Sequence, residues 1–182
     1  MKHAIIPLAI AAFALFTFDI AAAQTGQGRH ELSGQISFMI RSVEHSSNSV
    51  DALTLSARYG YFISNALEFE PELMFGAYEN NDPGFIVSMN LAYNIGGSNQ
   101  DNKIVPFVLA GGGVANTFIW LPNIPYVSLD DTHELINAGA GIKAFFTNQI
   151  ALRLEYRYQR FFMSRDVHHH NLYVGMSAFF GD

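Results

Sequence analysis

The sequence predicts an all-β chain, an eight-stranded antiparallel up-and-down transmembrane β-barrel that follows a cleaved signal peptide. Three observations predict it. Segments of about ten residues or more alternate apolar and polar side chains with a period of two, as strands do and helices do not. The connections between those segments are short at one end and long at the other. Aromatic residues gather at the segment ends.

In chain order, Lys2 and His3 lead into an apolar run from Ala4 to Phe18, and Ala21-Ala22-Ala23 precede Gln24. That order is the signature of a secretory signal peptide. The run is shorter than the ~20 residues a spanning helix needs. Residues 1–23 are therefore expected to be removed, leaving a single barrel domain over 24–182.

The first strand sets Leu32, Gly34, Ile36, Phe38 and Ile40 against Ser33, Gln35, Ser37 and Arg41. The second sets Leu53, Leu55, Ala57, Tyr59 and Tyr61 against Thr54, Ser56 and Arg58. In the third, Leu67, Phe69, Pro71, Leu73 and Phe75 oppose Glu68, Glu70 and Glu72; in the fourth, Phe85, Val87, Met89, Leu91 and Tyr93 oppose Ser88, Asn90 and Asn94. From Lys103 to Asn116 the pattern weakens, and Pro106 with Gly111-Gly112-Gly113 argues for a strand with a glycine kink and against a helix. The sixth strand, Leu135 to Phe145, opposes Asn137, Gly139, Gly141 and Lys143 to Ile136, Ala138, Ala140 and Ile142. The seventh, Ile150 to Phe161, is the clearest, with Leu152, Leu154, Tyr156 and Tyr158 against Arg153, Glu155, Arg157 and Gln159. The last carries Leu172, Val174, Met176, Ala178 and Phe180 on one face.

Turns at Ser64-Asn65 and Thr147-Asn148 are tight, and Gly96 to Asn102 is a little longer. The other connections, Ser42 to Asp51, Ala77 to Gly84, Thr117 to Thr132 and Phe162 to His170, are long. In an outer-membrane barrel the short set faces the periplasm and four long loops face outward. Absence of cysteine excludes a disulfide scaffold, a thiolate metal site and a lipidated N-terminal Cys, and a net charge of −6 speaks against nucleic acid as a partner.

Alternation alone is equally compatible with a soluble periplasmic lipid-binding barrel, which would turn the apolar face inward. Strand length, segregated connections and the aromatic ends favour the membrane. The expected interfacial aromatics are Tyr59, Tyr61, Phe75, Phe145, Phe161 and Phe180, with Trp120 in an apolar loop. Lipid then fixes the register, because sliding the seventh strand by one residue would place Arg153 and Arg157 in hydrocarbon at roughly 2–4 kcal/mol each near the midplane. In an eight-strand ring the third strand lies across from the seventh. Glu68, Glu70 and Glu72 are thus expected to meet Arg58, Arg153 and Arg157 in a lumen network with Glu155, Arg41 and Lys143 nearby, closing an interior too narrow for diffusion.

Three further motifs are weighed. His168-His169-His170 would offer imidazoles to a metal, but alternate directions along a strand divide them, and a solvated loop end is expected instead. Gly139 to Ala144 fits a dinucleotide fingerprint formally yet runs into a strand, not a helix. The triple glycine lacks the Lys and Ser or Thr of a phosphate loop. No metal and no cofactor are expected.

Leu152-Arg-Leu-Glu-Tyr-Arg-Tyr158 resembles the penultimate strand of the small eight-stranded outer-membrane barrels grouped with the OmpA transmembrane domain and opacity-type proteins, and the whole mature chain shares their pattern. The resemblance implies an integral outer-membrane protein with membrane lipid and the barrel assembly machinery as partners. Such barrels usually end on an aromatic, whereas Gly181-Asp182 follow Phe180 here. Pro106 to Gly113, Asn137 to Ile142 and Tyr156-Arg-Tyr158 are similar to the lipid A deacylase barrels, which implies hydrolysis of an acyl ester by Ser, His and Glu. That family carries His-x-Ser-Asn after the Tyr-Arg-aromatic strand, where this chain reads Gln159-Arg-Phe-Phe-Met163. The string His45-Ser-Ser-Asn48 falls in the first loop, so His45 and Ser47 are the candidate pair for a hydrolase. A Ser without a base in reach is a poor nucleophile. The expected function is therefore a non-catalytic barrel with a structural or surface-interaction role, its extracellular partner open.

Overall fold

The computed structural model describes residues 25–43, 51–76, 84–96, 103–116, 132–162 and 167–181, and within the first two of these ranges the side chains of 38–43 and 51–53 are excepted. The candidates His45, Ser47 and Trp120, residues 1–23 and most of the long connections lie outside them.

The described chain is eight strands: β1 (His30–Val43), β2 (Asp51–Phe62), β3 (Leu67–Gly76), β4 (Gly84–Asn94), β5 (Ile104–Asn116), β6 (Thr132–Phe145), β7 (Ile150–Phe161) and β8 (Val167–Phe180). Each pairs antiparallel with its sequence neighbours, and β1 pairs with β8 to close the barrel. Closure satisfies every edge, which hydrocarbon requires because it offers backbone groups no other partner.

The register fixes the geometry. One path from Gly175 runs through Gln35, Ser56, Met74 and Ile86 to Ala115; the other runs through Arg153 and Lys143 to Val105. They meet on β5 ten residues apart, a shear that tilts the strands by roughly 40°.

The two tight turns share one chemistry. Ser64 Oγ accepts from Leu67 N–H at 3.0 Å, and Thr147 Oγ1 accepts from Ile150 N–H at 3.1 Å. A hydroxyl three residues before the returning strand thus replaces a missing ladder bond. At Pro71, which has no N–H to give, the β2–β3 ladder skips from Arg58↔Glu72 to Tyr61↔Phe69.

Outward faces carry the apolar set: Leu55, Leu73, Val87, Met89, Leu91, Tyr156 and Leu172 are exposed. On β5, where alternation was ambiguous, Val105, Phe107 and Leu109 turn inward and Pro106, Val108 and Ala110 outward. The triple glycine lies within the continuous strand. One expectation is corrected on β8. It starts at Val167, so His168, His169 and His170 are strand residues and not a loop end, with His169 buried and the other two half-buried. The rings of His168 and His170 stack on β7 tyrosines, and the β7–β8 ladder runs to the strand end.

Candidate functional site

The inward faces converge on a buried lattice of charge. Its sequence basis is parity: residues of one strand separated by two share a face, so Arg153, Glu155 and Arg157 on β7 and Glu68, Glu70 and Glu72 on β3 each form an inward column. Arg58 contributes from β2, Lys143 from β6 and Glu31 from β1.

Arg58 occupies the middle. Its Nη1 donates to Glu155 Oε2 at 2.9 Å and Glu70 Oε2 at 3.2 Å, and its Nη2 to Glu72 Oε1 at 2.9 Å and Gln35 Oε1 at 3.2 Å. Arg153 crosses the lumen to Glu70, with Nη1 at 2.7 Å from Oε1 and Nη2 at 3.0 Å from Oε2, a two-pronged pairing that fits the planar fork to the carboxylate. It also reaches Glu31 at 3.2 Å and Glu155 at 3.0 Å. Arg157 pairs with Glu72 across the lumen and donates from Nε to Glu155 at 2.6 Å. Lys143 Nζ lies 2.5 Å from Glu31 and 2.7 Å from Glu68. All these side chains are buried.

Aromatic rings complete the packing. The Arg153 guanidinium lies 4.3 Å from the Phe107 ring centre and that of Arg157 4.7 Å from Tyr173. Lys143 is within 5.6 Å of the Phe62, Phe107 and Phe179 rings. A buried cation facing a ring gains from the quadrupole. Below this, at the short-turn end, Phe62, Val105, Phe145, Ala151 and Phe179 form an apolar cluster. Toward the other end the interior mixes neutral polar pairs with buried apolar side chains such as Met74, Ile86 and Phe161: Ser37 bonds Thr54, Asn137 donates to Asn90 at 2.9 Å, and Asn171 donates to Gln159 at 2.7 Å.

This arrangement bears on chemistry directly. The carboxylates of Glu31, Glu68 and Glu70 come within 4.8 Å of one another, as metal ligands would. Lys143 and Arg153 already stand against them, so fixed cations supply the charge an ion would bring. The hydroxyls of Ser33 and Ser177 both donate to Glu31 Oε1 at 2.6 Å, which holds them in the lattice.

The residues expected in the lumen, Arg58, Glu68, Glu70, Glu72, Arg153, Glu155 and Arg157, are all brought together here. Glu31 was missed. The signal was its spacing of two from Ser33 and four from Gln35, which places it on their face. Gly60 was also missed; a Cβ there would lie 2.0 Å from Glu68 Oε1. Among the aromatics, Tyr59, Tyr61, Phe75 and Phe180 are exposed outward, as girdle residues would be. Phe145 and Phe161 are corrected: they are 7% and 2% exposed and face the interior, because they share the parity of Lys143 and Gln159.

A closed eight-strand sheet, greasy outside and ionic within, is the organisation of a membrane-spanning barrel. A family model described as outer membrane protein beta-barrel domain matches residues 8–180, and the chain belongs to that family. It is an outer-membrane protein. Among solved structures it is similar to the Neisserial surface protein A, with 16% identity, 84% of this chain and 99% of that one covered, and a TM-score of 0.65. It is similar to Ail, the attachment invasion locus protein of Yersinia pestis, at 15% identity, 85% and 99% coverage and a TM-score of 0.56. The N-terminal β-barrel domain of Pseudomonas aeruginosa OprF gives 21%, 84%, 99% and 0.54. At these identities the likeness concerns the fold. No curated protein matches the sequence.

Proposed function

We propose that this is a non-catalytic outer-membrane barrel whose lumen is plugged by its own side chains and which serves as a rigid stave in the envelope, presenting four long loops outward. The observation that carries this reading is the span of Arg153 to Glu70 and of Arg157 to Glu72 from opposite walls. Each guanidinium is engaged by carboxylates from more than one strand, so moving one aside breaks several buried charge contacts at once. Breaking such a pair from one side costs about 3–5 kcal/mol, far above thermal energy. The apolar cluster around Phe145 and Phe179 supports the same reading at the periplasmic end, since a packed apolar layer offers hydrated ions no path.

In this reading residues 1–23 direct export and are removed, outer-membrane lipid is the solvent of the outer wall, and the barrel assembly machinery inserts the chain. Purified protein in planar bilayers is expected to give no steady large conductance, and a sustained one overturns the plug. Lipid A from cells with and without expression is expected to have the same mass spectrum; a lost acyl chain would replace the structural role with hydrolysis.

A further inference from the structure

The charges of the lumen lattice do not balance. Five carboxylates, Glu31, Glu68, Glu70, Glu72 and Glu155, stand against four bases, Arg58, Lys143, Arg153 and Arg157, and every one of them is buried. With all of these ionised, the closed barrel would hold one negative charge in excess at its centre. Arg29, a further buried base, precedes β1 at the short-turn mouth, where its Nε and Nη1 meet no hydrogen-bond partner, so it does not join the lattice. His169 lies toward the loop end, against the Phe161 ring.

The surplus falls on Glu68. Glu31, Glu70, Glu72 and Glu155 each meet an arginine and at least one further base. Among the described residues Glu68 meets no arginine. Its cation is Lys143, 2.7 Å from Oε2, and Lys143 lies closer still to Glu31, at 2.5 Å. Asn94 on β4 donates from Nδ2 to the same Glu68 oxygen at 3.1 Å. Oε1 has no donor. It points at the β2 wall beside Gly60, where a Cβ would collide with it. Around Glu68 stand Glu31 from β1, Glu70 from its own strand, Lys143 from β6 and Arg153 from β7; β2, β5 and β8 present the Phe62, Phe107 and Phe179 rings.

A buried carboxylate with one oxygen undonated has lost hydration without return, and a group so placed neutralises instead. A proton or a metal ion would each restore the balance. A metal ion would have to stand beside the Lys143 ammonium and gather several oxygens, yet those of Glu31 are already taken by Lys143, Arg153, Ser33 and Ser177. A proton needs one oxygen, and Oε1 of Glu68 is open to it.

We propose that Glu68 is a proton-binding site: its carboxyl keeps its proton at neutral pH, which brings the lattice to zero charge and makes the stability of the barrel fall as pH rises. In the unfolded chain a Glu ionises at about pH 4.3. Above that pH the folded barrel therefore binds one proton more than the unfolded chain. Its folding equilibrium constant then falls about tenfold per pH unit until Glu68 itself ionises. The four carboxylates paired with arginine act in the opposite direction, and only at acid pH.

The test compares the folded barrel with Glu68→Gln, which keeps the shape of the side chain and removes its charge. Infrared spectra in heavy water at neutral pH are expected to show the C=O band of an un-ionised carboxylic acid in the unaltered protein and none in the variant. In reversible urea titrations in vesicles, the unaltered protein should lose about tenfold in folding equilibrium constant relative to the variant between about pH 6 and about pH 7. Absence of the band, its survival in the variant, or parallel pH profiles each overturns the proposal. Should the variant fail to show a folded band in unboiled gels, the carboxyl carbon NMR shift of Glu68 in the unaltered barrel decides: a neutral-acid shift supports the proton and a carboxylate shift refutes it. These readouts do not involve conductance, so the proton site and the plug stand or fall separately.

Discussion

At Gly113 the wall has no space for a methyl group. A Cβ there would lie 2.1 Å from the Val87 carbonyl oxygen and 2.7 Å from Ser88 Cα, both backbone atoms that cannot swing away. Gly34, on the outward face of β1, would meet nothing within 4 Å. Gly113→Ala is therefore expected to lower stability in vesicles by on the order of 2 kcal/mol, as overpacking does. Gly34→Ala should leave it unchanged or raise it by about 0.5–1 kcal/mol, since it removes chain freedom at no steric cost. Urea titrations of both variants check the contrast, and equal midpoints would refute it. The sequence suggests a close approach at the triple glycine but not which residue comes close; that depends on β4, whose carbonyls press on Gly111 and Gly113. Phe145 and Phe161 teach the converse. Their inward direction was readable from parity with Lys143 and Gln159, and residue type alone misled.

For single elements, the decisive quantity is which medium touches a face. Leu91 on β4 is outward and pairs with Phe69 and Ala110, one residue from Asn90 and Glu70 in the charge layer. Leu91→Arg is expected to cost about 2–4 kcal/mol, whereas Tyr61→Arg, beside the short turn, should cost about 0–1 kcal/mol. Folding yields into phosphatidylcholine vesicles, read from unboiled gels, separate the two; equal yields would contradict the membrane depth assigned to Leu91. All eight strands announce themselves through apolar–polar alternation or, on β5, through a bounded apolar run. The first residues of β8 do not, because three consecutive histidines carry no hydropathy contrast. What makes them strand is the β7 partner, where Tyr156 and Tyr158 take up His170 and His168.

At the scale of the molecule, closure converts a sheet with two bare edges into one with none. A chain truncated before Val167 would leave β1 and β7 without their β8 partners, twenty-six register pairs lost. It is expected to lose the compact, fast-migrating band that the intact barrel shows in unboiled samples, and persistence of that band would contradict the closed topology. Closure also creates the lattice. Glu31 and Lys143 are 112 positions apart and Glu72 and Arg157 are 85 apart, yet each pair is in contact.

The order of strands, the face each turns to lipid and the charges that β2, β3, β6 and β7 turn inward were written in the sequence itself. A period of two is a local property, and an arginine in hydrocarbon is costly whatever its neighbours. Which carboxylate each base meets was decided by tertiary structure alone. That choice depends on the ten-residue shear at which the ring closes, and no stretch of chain records a stagger that exists only once the first strand has met the last.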